Sequence, residues 1–191
     1  RDKPFILCEY THAMGNSNGA MHKYTEYAYE EPLYQGGFIW DFIDQSIRVK
    51  DRYGKDAYFY GGDFGERPAD WDFSCNGIVF GDGSESPKMQ EVKYNYQSVF
   101  ADVSRDSVTI RNHSLFTSTA AWRCVATLSR DGREIARREI KTDVAPGETA
   151  TLPLPFPEQT RGGEYTVTLS FRQREATEWA AAGYEVAFGQ G

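Results

Sequence analysis

The sequence predicts an α/β segment of parallel-barrel type followed by an all-β sandwich. Three observations carry the prediction. Near the N-terminus two short apolar runs each stop at a carboxylate, with a helix-like stretch between them. From about residue 99 onward, short alternating stretches recur with turn residues between them and no helical pattern. The chain has 191 residues with 40% hydrophobic and 26% charged side chains, a globular balance with room for two modest domains.

Residues 5–8 are apolar and end at Glu9, and polar and small residues follow at once. A buried parallel strand reads this way when it delivers one charged group to the open end of a sheet, where α/β barrels place their chemistry. Asn16 or Ser17 is expected to cap a helix over about residues 20–29, which Pro32 stops. Gln35-Gly36-Gly37 reads as a turn, and Phe38-Ile39-Trp40 as a second strand ending at Asp41. Strand, helix, strand is a βαβ unit with parallel neighbours. Residues 47–60 read as a hairpin around Tyr53-Gly54. Residues 61–83 have no periodicity, yet carry Phe64, Trp71, Phe73, Ile78, Val79 and Phe80, so they read as an ordered functional loop.

Ser86-Pro87 opens a second helix, with Met89, Val92, Tyr96 and Val99 at roughly helical spacing. Strand patterns follow at 108–110, 122–128, 134–140, 149–154 and 165–171, a brief helix-like piece at 176–182, and a last strand through Tyr184, Val186 and Phe188. Short alternating strands at this spacing indicate a β-sandwich. The expected division is 1–98 and 99–191. Two strands cannot close a barrel, so the first part reads as the C-terminal end of a (β/α)8 TIM barrel whose earlier strands lie outside this sequence. The start at Arg1, without Met and just before a core strand, likewise reads as a cut from a longer protein.

The net charge of −7 and the absence of a Lys/Arg run argue against nucleic acid as a partner. No stretch of about 18 apolar residues is present, so no membrane span is expected. Cys8, Cys75 and Cys124 are odd in number and widely spaced, which reads as free thiols in a reducing compartment such as the cytoplasm. A periplasmic location stays open, because the N-terminus of the parent is absent. Aromatic residues reach 15%, which fits either sugar stacking or ordinary core filling.

The stretch Ile6-Leu7-Cys8-Glu9-Tyr10-Thr11-His12-Ala13-Met14-Gly15-Asn16-Ser17 resembles the nucleophile motif of the large β-galactosidases of glycoside hydrolase family two. Four later segments agree in order and approximate spacing: Gln35 to Asp41, Tyr60 to Gly65, Phe73-x-x-Asn76-Gly77, and Trp179-x-x-x-Gly183-Tyr184-Glu185-Val186-Ala187. The resemblance implies the last strands and helices of the catalytic barrel, then an immunoglobulin-like sandwich. It also implies a retaining hydrolase of terminal β-D-galactosides such as lactose, a homo-oligomeric parent, and partners in the remaining domains of the parent chain.

Retaining glycosidases use two carboxyl groups about 5–5.5 Å apart, one as nucleophile and one as acid/base. By the resemblance Glu9 is the nucleophile; on its own residues it could equally be a solvated strand-end carboxylate. The family's acid/base sits in an Asn-Glu pair, and this sequence has none. Asp41 is read as structural rather than as its substitute. His12 matches a position that holds galactose hydroxyls, against a structural imidazole. Trp40 matches the floor under the sugar ring, against a core Trp. Phe73 and Asn76 match a Na+ site, through the Phe73 carbonyl and the Asn76 side-chain oxygen, with a third ligand outside this sequence. Phe73 also matches a gate on the pocket, against a core anchor. The Mg2+ ligands of the family lie upstream. Strict alternation along the first strand would point Cys8 away from Glu9, so a thiol nucleophile is not expected. The alternative reading is a non-catalytic, carbohydrate-binding or domain-bridging sandwich module.

Overall fold

The computed structural model describes residues 2–191. They divide into two compact units, one ending at Tyr96 and one spanning Gln97–Gly191.

In the first unit β1 (Phe5–Tyr10) pairs in parallel with β2 (Tyr34–Ile39), and α1 (His22–Glu30) lies between them in the chain. Tyr24 meets Tyr10 edge-on and Tyr27 meets Tyr34, so aromatic rings fasten the helix to both strands. The register shifts between Leu7 and Tyr10. Simple alternation is therefore broken where it matters: Phe5, Leu7 and Tyr10 turn to the covered side, and Cys8 and Glu9 are both exposed. The expected separation of Cys8 from Glu9 by strict alternation does not hold.

Three further expectations are corrected. Neither Asn16 nor Ser17 caps α1. Asn18 and Ala20 take positive φ, the helix begins after Met21, and the Met21 N–H donates to the Glu91 carboxylate at 3.2 Å. An acceptor from a distant helix thus replaces a local cap. Gln35-Gly36-Gly37 is strand, not turn. A Cβ on Gly37 would lie 3.0 Å from Leu7 Cβ, so glycine permits the close approach of β2 to β1. Residues 176–182 form a loop held by Thr177, whose N–H donates to Ala180 O and whose hydroxyl accepts from Ala180 N–H. So short a piece without a packed face does not nucleate a helix.

The expected hairpin is β3 (Ile47–Lys50) with β4 (Asp56–Phe59), turned around Asp51, whose carboxylate accepts from Tyr53 and Lys55 N–H groups. The long loop contains a short 3-10 turn, Trp71–Ser74. α2 (Lys88–Asn95) stops four residues short of Val99, which belongs to a strand the sequence pattern did not reveal. Ala13, Met21, Ile78 and Val92 form the small buried core of this unit.

The second unit has two antiparallel sheets. One contains β5 (Val99–Val103), β6 (Ser107–Asn112) and β9 (Thr149–Pro153). The other contains β7 (Trp122–Arg130), β8 (Arg133–Ile140), β10 (Tyr165–Gln173) and β11 (Glu185–Gln190), in the order β11-β10-β7-β8. Alternate residues from both sheets, among them Val99, Val108, Ile110, Cys124, Leu169 and Phe171, make one core. The buried Gln97 acts as an extra strand rung, since its amide bonds both the N–H and the C=O of Phe188. Among the described residues no helix is long and apolar enough to cross a membrane.

Candidate active site

Glu9 is the last exposed residue of β1, and the chain around it is fixed from behind. Tyr10 is buried, and its hydroxyl bonds that of Tyr96 at 2.5 Å. Burial, reinforced by this bond, raises the Tyr10 phenol far above its ordinary range, so it stays a neutral anchor. The Trp40 N–H donates to Tyr10 O at 3.3 Å, and the Ala13 N–H donates to Trp40 O at 2.7 Å. Lys88 Nζ then donates to Ala13 O at 2.6 Å. The turn after Glu9 is thereby stitched to the end of β2 and to α2. Thr11 enters that turn with φ +44° and so sets the direction in which the chain leaves the strand.

His12 is half-buried, and its ring centroid lies 6.0 Å from that of Phe73. Trp40 is 40% exposed and Phe73 57% exposed, so neither is a core residue of the described chain. The Trp40–Asp41 peptide is cis. The Asp41 carboxylate is engaged at both oxygens, accepting from its neighbour's N–H at Phe42 (2.6 Å) and from Gln45 Nε2 (2.8 Å). That engagement suits a fixed turn better than a proton donor.

The segment after Asp41 runs beside residues 74–79 of the long loop. Asp41 N–H donates to Asn76 O, Ile78 N–H to Asp41 O, and Val79 N–H to Phe42 O, at 2.7, 2.9 and 3.0 Å. These bonds bring Asn76 against the end of β2. Asn76 is 2% exposed. Its Nδ2 donates to Phe73 O at 3.2 Å, while its Oδ1 is buried with no hydrogen-bond partner among the described residues. A buried amide oxygen and a backbone carbonyl are the kinds of oxygen donor a hard cation takes, although here it is the amide nitrogen that faces Phe73 O. Among the described residues no group of three His, Cys, Asp or Glu side chains could hold a metal ion.

The structure thus puts His12 beside Phe73, Phe73 beside Asn76, and Asn76 and Trp40 on either side of the Asp41 turn. Glu9 joins them through the backbone of Tyr10 rather than through its own side chain. Sequence reading missed Asp44 and took Gly77 only as part of a motif, yet the two lock the loop to the turn: Gly77 N–H donates to Asp44 Oδ1 at 2.7 Å. The only available signal was Gly77 itself, inside the Phe73-x-x-Asn76-Gly77 pattern.

Comparison with known proteins gives two family matches. The family model "Glycosyl hydrolases family 2, TIM barrel domain" matches residues 1–101, and "Beta-galactosidase, domain 4" matches residues 108–191. Among curated relatives, the β-galactosidase of Halalkalibacterium halodurans is 50% identical over 190 residues, 98% of this chain and 19% of that protein. That of Clostridium acetobutylicum is 46% identical over 188 residues, 98% of this chain and 21% of that protein. That of Streptococcus thermophilus is 45% identical over 188 residues, with 98% and 18% covered. The chain spans about one fifth of the length of the curated relatives it matches.

Proposed function

Because this chain belongs to glycosyl hydrolase family 2, we propose that it carries the nucleophile of a retaining β-galactosidase, with residues 1–98 completing the catalytic barrel and 99–191 forming the sandwich that follows it in the chain. The Glu9 carboxylate attacks the anomeric carbon of a terminal β-galactoside. The bond from that carbon to the leaving oxygen breaks, and the leaving oxygen takes a proton from a second carboxyl group. Water, deprotonated by the same second group, then cleaves the galactosyl ester and returns free Glu9. The second group is not supplied by an Asn-Glu pair of this sequence, since there is none. The resemblance implies that it stands on an earlier strand of the parent.

The observation that carries this reading is the backbone stitching at the β1 and β2 ends, which leaves Glu9 exposed while the chain at Tyr10, Ala13 and Trp40 is bonded. A nucleophile needs a fixed base and an open front. Trp40 offers a ring face to the apolar side of the sugar, and His12 offers ring nitrogens to its hydroxyls.

Phe73 O and Asn76 Oδ1 fit a Na+ ion, and the orphaned, buried state of Asn76 Oδ1 supports that fit. Rotation of the amide by half a turn brings its oxygen to face the Phe73 carbonyl. A bound Na+ supplies a ligating position for a sugar hydroxyl. Mg2+ is assigned by the resemblance to residues outside this sequence. The other domains of the parent and a homo-oligomeric assembly belong to the same proposal.

The test is Glu9→Gln in the parent polypeptide, assayed on an aryl β-galactoside, together with a 2-fluoro-galactoside that traps the ester. Hydrolysis should be lost, and the wild-type label should fall on the peptide containing Glu9. Wild-type turnover in the variant, or a label elsewhere, would overturn the assignment. The 191-residue chain alone should not hydrolyse the substrate.

A second reading, the carbohydrate-binding sandwich, is favoured by one observation. An open cavity of about 820 Å³ lies in the second unit, its lining including Leu128, Val167, Phe156, Tyr165, Arg105 and Glu158. Its size suits a small ligand. Galactose binding to the 191-residue chain that Phe156→Ala abolishes and Trp40→Ala spares would favour this module.

A further inference from the structure

We propose that Asp44 is the positioning residue of the Phe73/Asn76 cation pair, an inference that rests on the cation reading above and extends it to a residue outside the ligand set. One peptide group, the one joining Asn76 to Gly77, is held at both ends. Its carbonyl, Asn76 O, accepts from Asp41 N–H at 2.7 Å. Its N–H, on Gly77, donates to Asp44 Oδ1 at 2.7 Å. Both ends of a single planar unit are therefore held by the turn that follows β2. The orientation of that plane sets the direction in which the Asn76 side chain leaves the backbone, and so where its oxygen stands relative to Phe73 O.

The Asp44 bond is the stronger of the two holds, because its acceptor is a carboxylate rather than a neutral carbonyl. Its backbone contributes as well. The Asp44 N–H donates to Val79 O at 3.1 Å, and the next residue, Gln45, donates its N–H to Ser74 O at 2.8 Å. Residues 74 and 79 bracket the site, and Asp44 with its neighbour grips both.

Gly77 records how close this grip is. A Cβ there would lie 2.2 Å from Asp44 N, 2.4 Å from Val79 O and 2.5 Å from the Ile43 carbonyl carbon, all backbone atoms that cannot swing aside. No residue but glycine lets the Asn76–Gly77 peptide reach Asp44 without displacing the turn. Asp44 also brings negative charge to a loop that presents oxygens to a cation. Asp44 is not placed as a ligand or as a group that touches substrate. It acts through Gly77.

Partners that orient metal ligands without touching the ion typically change metal affinity about 10–100-fold when removed. The test uses the parent polypeptide and reads Na+ directly, by the Na+ dependence of the thermal unfolding midpoint and by 23Na line broadening, alongside kcat/KM against Na+ concentration. Asp44→Ala is expected to raise the Na+ concentration for half-saturation about tenfold or more, with kcat at saturating Na+ changed little. Asp44→Asn keeps an acceptor oxygen for Gly77 and loses the charge, so it should fall between wild type and Ala. It also carries the test should the Ala variant not fold. A purely structural role predicts lower stability with an unshifted Na+ half-saturation. That result in both variants, with a Na+-responsive wild type, overturns the role of Asp44 alone. A wild type without any Na+ response overturns the cation reading and this inference with it, while leaving Glu9 to its own test.

Discussion

The hydroxyls of Tyr10 and Tyr96 share a 2.5 Å hydrogen bond in which only one partner is hidden, Tyr10 being 8% exposed and Tyr96 50%. The two deletions should therefore differ. Tyr10→Phe leaves Tyr96 free to bond water and should cost about 0.5–1.5 kcal/mol. Tyr96→Phe strands the Tyr10 hydroxyl in the interior and should cost about 1–3 kcal/mol. Urea unfolding of the two variants checks the order, and a larger loss for Tyr10→Phe would contradict it.

Trp40 is bonded through its backbone at both N–H and C=O, while its ring is partly open. Trp40→Ala should leave the β1–β2 junction folded and weaken sugar binding. Losing an aromatic face is worth about 1 kcal/mol, or roughly a fivefold to tenfold rise in KM for a galactoside in the parent enzyme. Trp40→Phe should recover most of it. Equal losses in the two variants would mean that ring stacking is not what Trp40 provides.

Asn112 is 1% exposed and holds the β6–β7 connection shut. Its Nδ2 donates to Thr117 O at 2.8 Å and Val144 O at 2.9 Å, and its Oδ1 accepts from Ser114 N–H at 3.0 Å. Asn112→Ala removes all three and leaves a void, so the sandwich should lose about 2–3 kcal/mol. The loss should be confined to the second unit in hydrogen exchange. A change below 0.5 kcal/mol, as is usual at an ordinary surface site, would show that the loop is held by other means.

The thiols should separate by access. Cys124 is buried in the sandwich core, and burial, aided by the charge of Glu139, pushes its thiol up to about 12. At pH 8 it is almost wholly protonated and inaccessible, so a disulfide reagent should modify it only when the second unit opens. Cys8 is exposed and should react with the folded 191-residue chain. Labelling of Cys124 as fast as Cys8 would mean that the core opens far more readily than its packing implies.

How much of this was legible beforehand follows from the range of the interactions. The β1 end at Glu9, the hairpin and most sandwich strands rest on patterns a few residues long, and those patterns are visible in a sequence. The shift between Leu7 and Tyr10 was not, because it reflects pairing with Gly37 on another strand. Helix α1 lacks a local cap because Glu91, 70 residues away, supplies the acceptor. Val99 has helical spacing with Tyr96 and still joins β5, where tertiary pairing overrides periodicity. At the site, the residues of the motif were legible by resemblance. Asp44 was not, since its partner lies 33 positions on, in a loop without periodicity.

Besides the side-chain bonds from Tyr96 and Lys88, the chain around Glu9 is fixed by Trp40 N–H, Tyr10 O, Ala13 N–H and Trp40 O, all main-chain groups. Any non-proline residue can donate such an N–H, and every residue has such a carbonyl. On the proposed reading, substitutions at His12 or Trp40 would change what meets the sugar while the main-chain bonds behind Glu9 remain in place. The side chains at the strand ends are thus free to vary while the main-chain frame that carries them stays the same.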